Sequence, residues 1–258
     1  MNLTSEKDFN RYIDLLDQHI ERVVSAGKAA HQYMKPNSVL LSKGLVMYSG
    51  LLNDSDQLLL ASEIMNTRPS DAKRKDSIAV NVGGISQIIL PTIIKLVLSH
   101  FRSRLDEVKA EMYLNTYRQH LTIAPGDDDI QAVLHRDTFF PAFKYWYFPM
   151  DVTAGAFIYA EYSAELSDQR LKWEEEQVDM IRSGVVESWR GIGHAQGSFR
   201  TNDQELTEMG LTAAPVNVPA DTLVVVNVFG FHARGAVEAP ADRLALSGSI
   251  RFKRPFEI

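Results

Sequence analysis

Seven histidines, at 19, 31, 100, 120, 135, 194 and 232, are the only side-chain ligands softer than oxygen that stand out in this 258-residue chain, which contains no cysteine. Without thiols there can be no disulfide scaffold, cysteine nucleophile, iron–sulfur cluster or thiolate zinc site, so a bound metal would rest on histidine and carboxylate. His135 and Asp137 lie two apart in a segment that reads as a strand, and residues at that spacing share one face of a sheet. Such a pair also arises by coincidence, so the chemistry needs a third ligand. His232 follows the apolar run Thr222-Leu-Val-Val-Val-Asn-Val-Phe, where a buried strand reaches a rim. Two histidines and one carboxylate on one face of a metal, with the other positions open, suit non-heme Fe(II) and oxygen chemistry. Arg243 opens the next strand; it either reaches the same cavity or pairs at the surface with Asp242 or Glu238. His19, His31 and His100 fall on predicted helices without a partner at ligand spacing and read as surface or satisfied core residues, while His120 reads as either.

The elements that must position these residues divide the chain. Phe9, Tyr12, Ile13, Leu16, Ile20, Val23 and Val24 recur at helical spacing, and 53–66 and 91–109 also read as helices, so residues 1–109 are expected to be mostly helical. From residue 110 the pattern changes to short runs rich in β-branched and aromatic residues. These predict strands near 112–123, 131–137, 145–152, 156–162, 214–218, 222–228 and 244–252, enough for a sandwich or barrel within a single 1–258 domain. A helix over 167–183 and a polar, glycine-punctuated stretch form an insertion over 165–210, either a lid or a solvated excursion. Lys and Arg total 27 against 33 Asp and Glu, a net charge of −6 with a pI near 5.7, so no basic surface suited to nucleic acid is expected. Gln87, Pro91, Lys95 and His100 interrupt the most apolar stretch, 85–101, before the roughly 20 residues a membrane span needs. The first residues carry acids where a signal peptide needs a basic cluster. The expectation is a cytoplasmic protein with a small-molecule substrate, no membrane partner, and a monomeric or homodimeric state.

His135-Arg136-Asp137, Asp221-Thr222-Leu223-Val224-Val225 leading to Gly230-Phe231-His232-Ala233-Arg234-Gly235, and then Arg243, together resemble the phytanoyl-CoA dioxygenase family of Fe(II)/2-oxoglutarate oxygenases. Pro125-Gly126 and Gly155 fit the same pattern, which covers about residues 110–254. The resemblance implies a double-stranded β-helix, a jelly-roll barrel flanked by helices, with iron held by His135, Asp137 and His232 and with the distal carboxylate of 2-oxoglutarate paired to Arg243. The chain departs from the family where Ala160-Glu161-Tyr162-Ser163-Ala164-Glu165 replaces a common Pro-Gly-Ser-His turn, and where Arg234 stands in place of a small residue. The first hundred residues carry no motif of the family.

The residue chemistry agrees with what the resemblance implies. Two imidazoles and a carboxylate leave three metal positions, two for the keto acid and one for O2, and a buried distal carboxylate needs a fixed cation, for which arginine is the best match. An aspartate at 137, not alanine or glycine, favours hydroxylation over halogenation. On the substrate side, Arg118, Phe140, Lys144, Tyr145, Trp189, Arg200 and Arg234 are candidates, and Lys144, Arg200 and Arg234 suit a polar or anionic metabolite; barrel wall and surface ion pairs are their alternative readings. Two rival functions remain: a non-catalytic β-helix binding module, and a metal-dependent cupin enzyme that dispenses with 2-oxoglutarate.

Overall fold

The computed structural model describes residues 16–66, 69–74, 77–80, 86–102, 110–121, 131–138, 142–191, 194, 198–235, 237 and 241–252. Along the chain these form α1 (His19–Tyr33), β1 (Leu45–Ser49), α2 (Asp54–Asn66), β2 (Pro69–Arg74), β3 (Ser77–Val80), α3 (Ser86–Leu98), β4 (Ala110–Leu121), β5 (Phe143–Phe148), β6 (Phe157–Ala160), α4 (Asp168–Arg182), α5 (Asp203–Glu208), β7 (Ala213–Val216), β8 (Thr222–Asn227), β9 (His232–Arg234) and β10 (Ala241–Phe252). A seven-stranded sheet runs β1-β8-β5-β10-β4-β3-β2 and a three-stranded sheet runs β7-β6-β9, with every neighbouring pair antiparallel. The fold is therefore mixed helix and antiparallel sheet, and among the described residues no helix is long and apolar enough to cross a membrane.

Side-chain alternation assigns the two faces of the large sheet. Phe143, Tyr145, Tyr147, Leu223, Val225, Leu244, Leu246 and Ile250 pack on Ala30 of α1, Leu60, Ala61 and Ile64 of α2, and Ile89, Ile93 and Val97 of α3. The intervening residues Val224, Val226 and Ala245 join Phe148 and Tyr159 in a second cluster, against which Trp146, Phe157 and Val216 also pack; this core lies between the two sheets. All six residues of β8 are buried because both its faces are covered, which explains its unbroken apolar run. Each fully buried valine there contributes about 1.5–3 kcal/mol.

Several elements differ from the sequence expectation. Three strands, β1 to β3, lie within the first 109 residues, where mostly helix was expected; β2 is polar (Pro-Ser-Asp-Ala-Lys-Arg) and β1 is only 5 residues long, so neither carries a strong period-two signal. The helix expected over 91–109 instead starts at Ser86, holds Pro91 inside it and stops at Leu98. Phe101 then bridges to Met34. The segment 131–137 is not a regular strand; its β-bridges are isolated ones at His135, to Arg200 and to His232.

Candidate metal centre

The segment holding His135 and Asp137 is stitched between two others. His135 and His232 exchange both backbone hydrogen bonds at 2.9 Å, the mutual pairing that sets two side chains directly opposite on one face of an antiparallel pair. Asp137 N–H donates to Val228 O at 3.1 Å on the same flank. On the other flank Arg136 N–H donates to Phe199 O at 3.0 Å and Thr201 N–H to Leu134 O at 2.9 Å. Because Asp137 is two residues beyond His135, its carboxylate returns to the histidine face. One ligand atom from each of His135, Asp137 and His232 lies within 4.8 Å of the others, so the three are placed to hold a metal ion.

The hydrogen bonds on the far side of each ring decide its tautomer. His135 Nδ1 lies 2.8 Å from Val133 O and His232 Nδ1 lies 3.0 Å from Gly230 O. A carbonyl only accepts, so each Nδ1 carries the proton and each Nε2 presents a lone pair. Those Nε2 atoms lie 3.7 Å from Asp137 Oδ1 and 3.6 Å from Oδ2, beyond hydrogen-bond distance. Two lone pairs and a carboxylate facing one another are mutually repulsive unless a cation lies between them, and this donor set fits a divalent first-row metal. Burial, reinforced by the neighbouring His232, pushes His135 down to about 4, which keeps it at physiological pH in the neutral form that is able to ligate. Burial works to raise the Asp137 carboxyl, but the positive charge facing it, the Lys144 ammonium included, outweighs burial and holds the group well below the usual carboxylate range.

Gly230 is required by close packing. A Cβ there would stand 2.1 Å from Tyr159 Oη and 2.9 Å from Ser163 Oγ. Tyr159 donates to Asn227 O at 2.9 Å, and Ser163 Oγ accepts from Phe231 N–H at 2.7 Å, so the turn that delivers His232 is clamped on both sides.

The other expected site residues are distributed as follows. Lys144 lies on the inner face of β5 and forms an ion pair with Asp137. Arg200 is buried, its backbone bridges to His135, and its Nη1 donates to Ser198 O at 3.1 Å. Arg234 follows His232 by two residues on β9. Arg243 belongs to the inner-face set of β10, alternating with the helix-facing Leu244 and Leu246, and its Nη1 donates to Gly155 O at 2.8 Å. Trp189 lies in a short 3-10 turn under the Arg190 guanidinium, 4.2 Å from its ring centre. Arg118 sits in β4 opposite Leu244. Phe140 lies outside the described residues. Tyr145 is not at the site: strand alternation sends Lys144 and Trp146 inward, so Tyr145 is fully buried on the opposite, helix-facing side with Phe143 and Tyr147.

One constellation went unrecognised in the sequence. Arg136, between the two ligands of the H-x-D segment, must point away from the metal face, and it is completely buried against Glu174 of α4 at 2.8 Å. Glu174 also accepts from Arg170 Nη2 at 2.9 Å and from His19 Nε2 at 2.8 Å. The Arg136 guanidinium additionally covers the Phe199 ring at 4.4 Å. The available signal was the spacing of Arg170, Glu174 and Gln177, one stripe of a helix and all buried. Arg190 is likewise tied to Glu205, Gln177 and Arg200 O, so the described part of 165–210 is packed through buried ion pairs and hydrogen bonds.

No protein-family model matches the chain, and no curated protein does. Among solved structures the chain is similar to the epimerase SnoN in complex with Fe3+, alpha ketoglutarate and nogalamycin RO, at 14% identity over 88% of this chain and 83% of that one, with a TM-score of 0.49. It is also similar to HygX from Streptomyces hygroscopicus with nickel and 2-oxoglutarate bound, at 13% identity over 83% and 85%, TM-score 0.45. A third is the non-heme alpha ketoglutarate dependent carbocyclase SnoK, at 12% identity over 86% and 85%, TM-score 0.44. At these scores the likeness does not assign chemistry to this chain, which rests on the side chains described above.

Proposed function

We propose that this protein is an Fe(II)/2-oxoglutarate-dependent oxygenase on a double-stranded β-helix, hydroxylating or otherwise oxidising an unactivated C–H bond of a small polar or anionic metabolite. The observation that carries the reading is the pair of tautomer-locked Nε2 atoms facing a single ionised carboxylate. A metal-free binding module would leave those lone pairs opposed to Asp137 with nothing between them, and a histidine-rich cupin site would need more than two imidazoles. The motif pattern around His135, His232 and Arg243 supports kinship with the phytanoyl-CoA dioxygenase family.

In this reading His135, Asp137 and His232 hold Fe(II). Fe(II) held by these residues would supply the chemistry that joins oxidative decarboxylation of 2-oxoglutarate by O2, giving succinate and CO2, to transfer of the second oxygen atom to the substrate. The chain's own part is positional and electrostatic. Val133 O and Gly230 O fix the two imidazole orientations, and Arg243 supplies the fixed guanidinium for the distal carboxylate of the co-substrate. Arg200 and Arg234 add positive charge beyond the Lys144–Asp137 pair, which favours an anionic group on the substrate. The inter-sheet core of Val224, Val226, Phe148 and Trp146 excludes water behind the site. The test is 2-oxoglutarate consumption with Fe(II) and O2 across a panel of small carboxylates and phosphates. Succinate formation stimulated by a panel member is expected, and an iron-loaded protein with neither basal nor stimulated turnover would contradict the reading.

A further inference from the structure

We propose that Lys144 is a positioning residue that keeps Asp137 a one-oxygen metal ligand. The inference rests on the metal reading above and deepens it. Asp137 Oδ1 faces His135 Nε2 at 3.7 Å and Oδ2 faces His232 Nε2 at 3.6 Å, so the carboxylate lies broadside to the metal position and both oxygens are within reach of an ion there. Carboxylates ligate through one oxygen or two, and nothing in an isolated aspartate selects between them. Here the selection comes from Lys144, whose Nζ engages Oδ2 alone.

The lysine is well placed for this. Its strand is pinned on both sides, with Lys144 opposite Val226 of β8 and opposite Ser249 of β10, and alternation fixes its side chain on the inner face. Among the described residues Asp137 is its one ion-pair partner. An ammonium on Oδ2 occupies one of that oxygen's lone pairs and repels a cation approaching it, which directs the metal to Oδ1.

The consequence follows from counting positions. Two imidazoles, one carboxylate oxygen and a keto acid bound through two atoms fill five of six octahedral positions and leave one for a diatomic gas. A carboxylate bound through both oxygens would take that last position. Lys144 thus serves the oxygen chemistry without touching the substrate or the metal.

The test uses the full chain, loaded anaerobically with Co(II) or Fe(II), as wild type, Lys144→Met, Lys144→Gln and Lys144→Arg. The side chain is about one-third exposed, so the neutral variants do not disturb the core. The expected result is that both neutral variants still bind one metal per chain as tightly as wild type or more tightly. Their Co(II) visible absorption weakens as coordination number rises. Their Fe(II)–2-oxoglutarate forms lose the electron-paramagnetic signal of bound nitric oxide, and Lys144→Arg retains it. Neutral variants with the wild-type Co(II) spectrum and nitric oxide signal would overturn the inference, as would their loss of metal altogether. A wild-type protein that binds neither metal overturns the metal reading itself, and this inference with it.

Discussion

Replacing Glu174 by glutamine removes one charge and almost no volume from a site where exposure is nil, and the consequence can be worked from its partners. The carboxylate accepts from Arg136 Nη2 at 2.8 Å, Arg170 Nη2 at 2.9 Å and His19 Nε2 at 2.8 Å, with all four groups buried. The amide retains one acceptor oxygen and leaves two guanidinium groups uncompensated in the interior. Breaking a buried pair in this way costs about 3–5 kcal/mol, a large share of the roughly 5–15 kcal/mol that holds a domain together. At about 2–4 °C per kcal/mol for a chain of this size, the melting point should fall by about 6–20 °C. The pH dependence gives a second readout. Arg136 and Arg170 outweigh burial and hold Glu174 below its ordinary 4.5, so its contribution is fully present above 4.5 and lost as pH falls through the folded value. Burial outweighs the pull of Glu174 and lowers His19 below 6.5, so the unfolded chain takes up a proton first and stability begins to fall below that pH. Glu174→Gln should therefore abolish the lower acid stage of wild-type unfolding. Urea titrations of both proteins from pH 2 to 8 measure this. A loss under about 1 kcal/mol, the size of an exposed pair, together with an unchanged acid limb, would refute the reasoning.

Three further outcomes are expected. Arg243→Ala should weaken 2-oxoglutarate binding about a hundredfold or more, the effect of losing a buried charge pair, while leaving Fe(II) affinity close to wild type; isothermal titration of each ligand separates the two. Gly230→Ala forces a methyl to within 2.1 Å of Tyr159 Oη, so a stability loss of about 1–3 kcal/mol in denaturant titrations should accompany weaker metal binding as the His232 turn shifts. Tyr145→Phe, on the helix-facing side of β5, should change neither metal affinity nor 2-oxoglutarate turnover, and a selective loss of turnover would place that ring back at the site.

What the sequence made legible follows from how local each signal is. The helices over 54–66 and 168–182, the strand β8 that leads to His232 and the strand β10 that carries Arg243 have strong periodicity or unbroken apolar runs, and they lie close to where they were expected. His135 and Asp137 were legible together because i and i+2 spacing fixes a shared face whether the segment is a regular strand or, as found, an extended stretch with isolated bridges at His135. Strand phase was harder to read: Lys144 and Tyr145 are neighbours, and only pairing with β8 and β10 shows that the first faces Asp137 and the second faces α1–α3. The polar strand β2 and the four-residue strand β3 were missed because their placement comes from pairing, β3 to β4 and β2 to β3, which composition does not carry. The Arg136–Glu174 pair is likewise long range, joining the His135 segment to a helix 38 residues away.

The most direct test of the metal reading is an anaerobic Fe(II) titration followed by addition of 2-oxoglutarate, on wild type and on His135→Ala, Asp137→Ala and His232→Ala. The expected result is one Fe(II) per wild-type chain, a visible charge-transfer absorption that develops only when 2-oxoglutarate is added, and loss or severe weakening of both in each variant. Tight stoichiometric iron binding that survives in His232→Ala, or a wild-type chain that binds no iron, would contradict the assignment of His135, Asp137 and His232 as the metal centre.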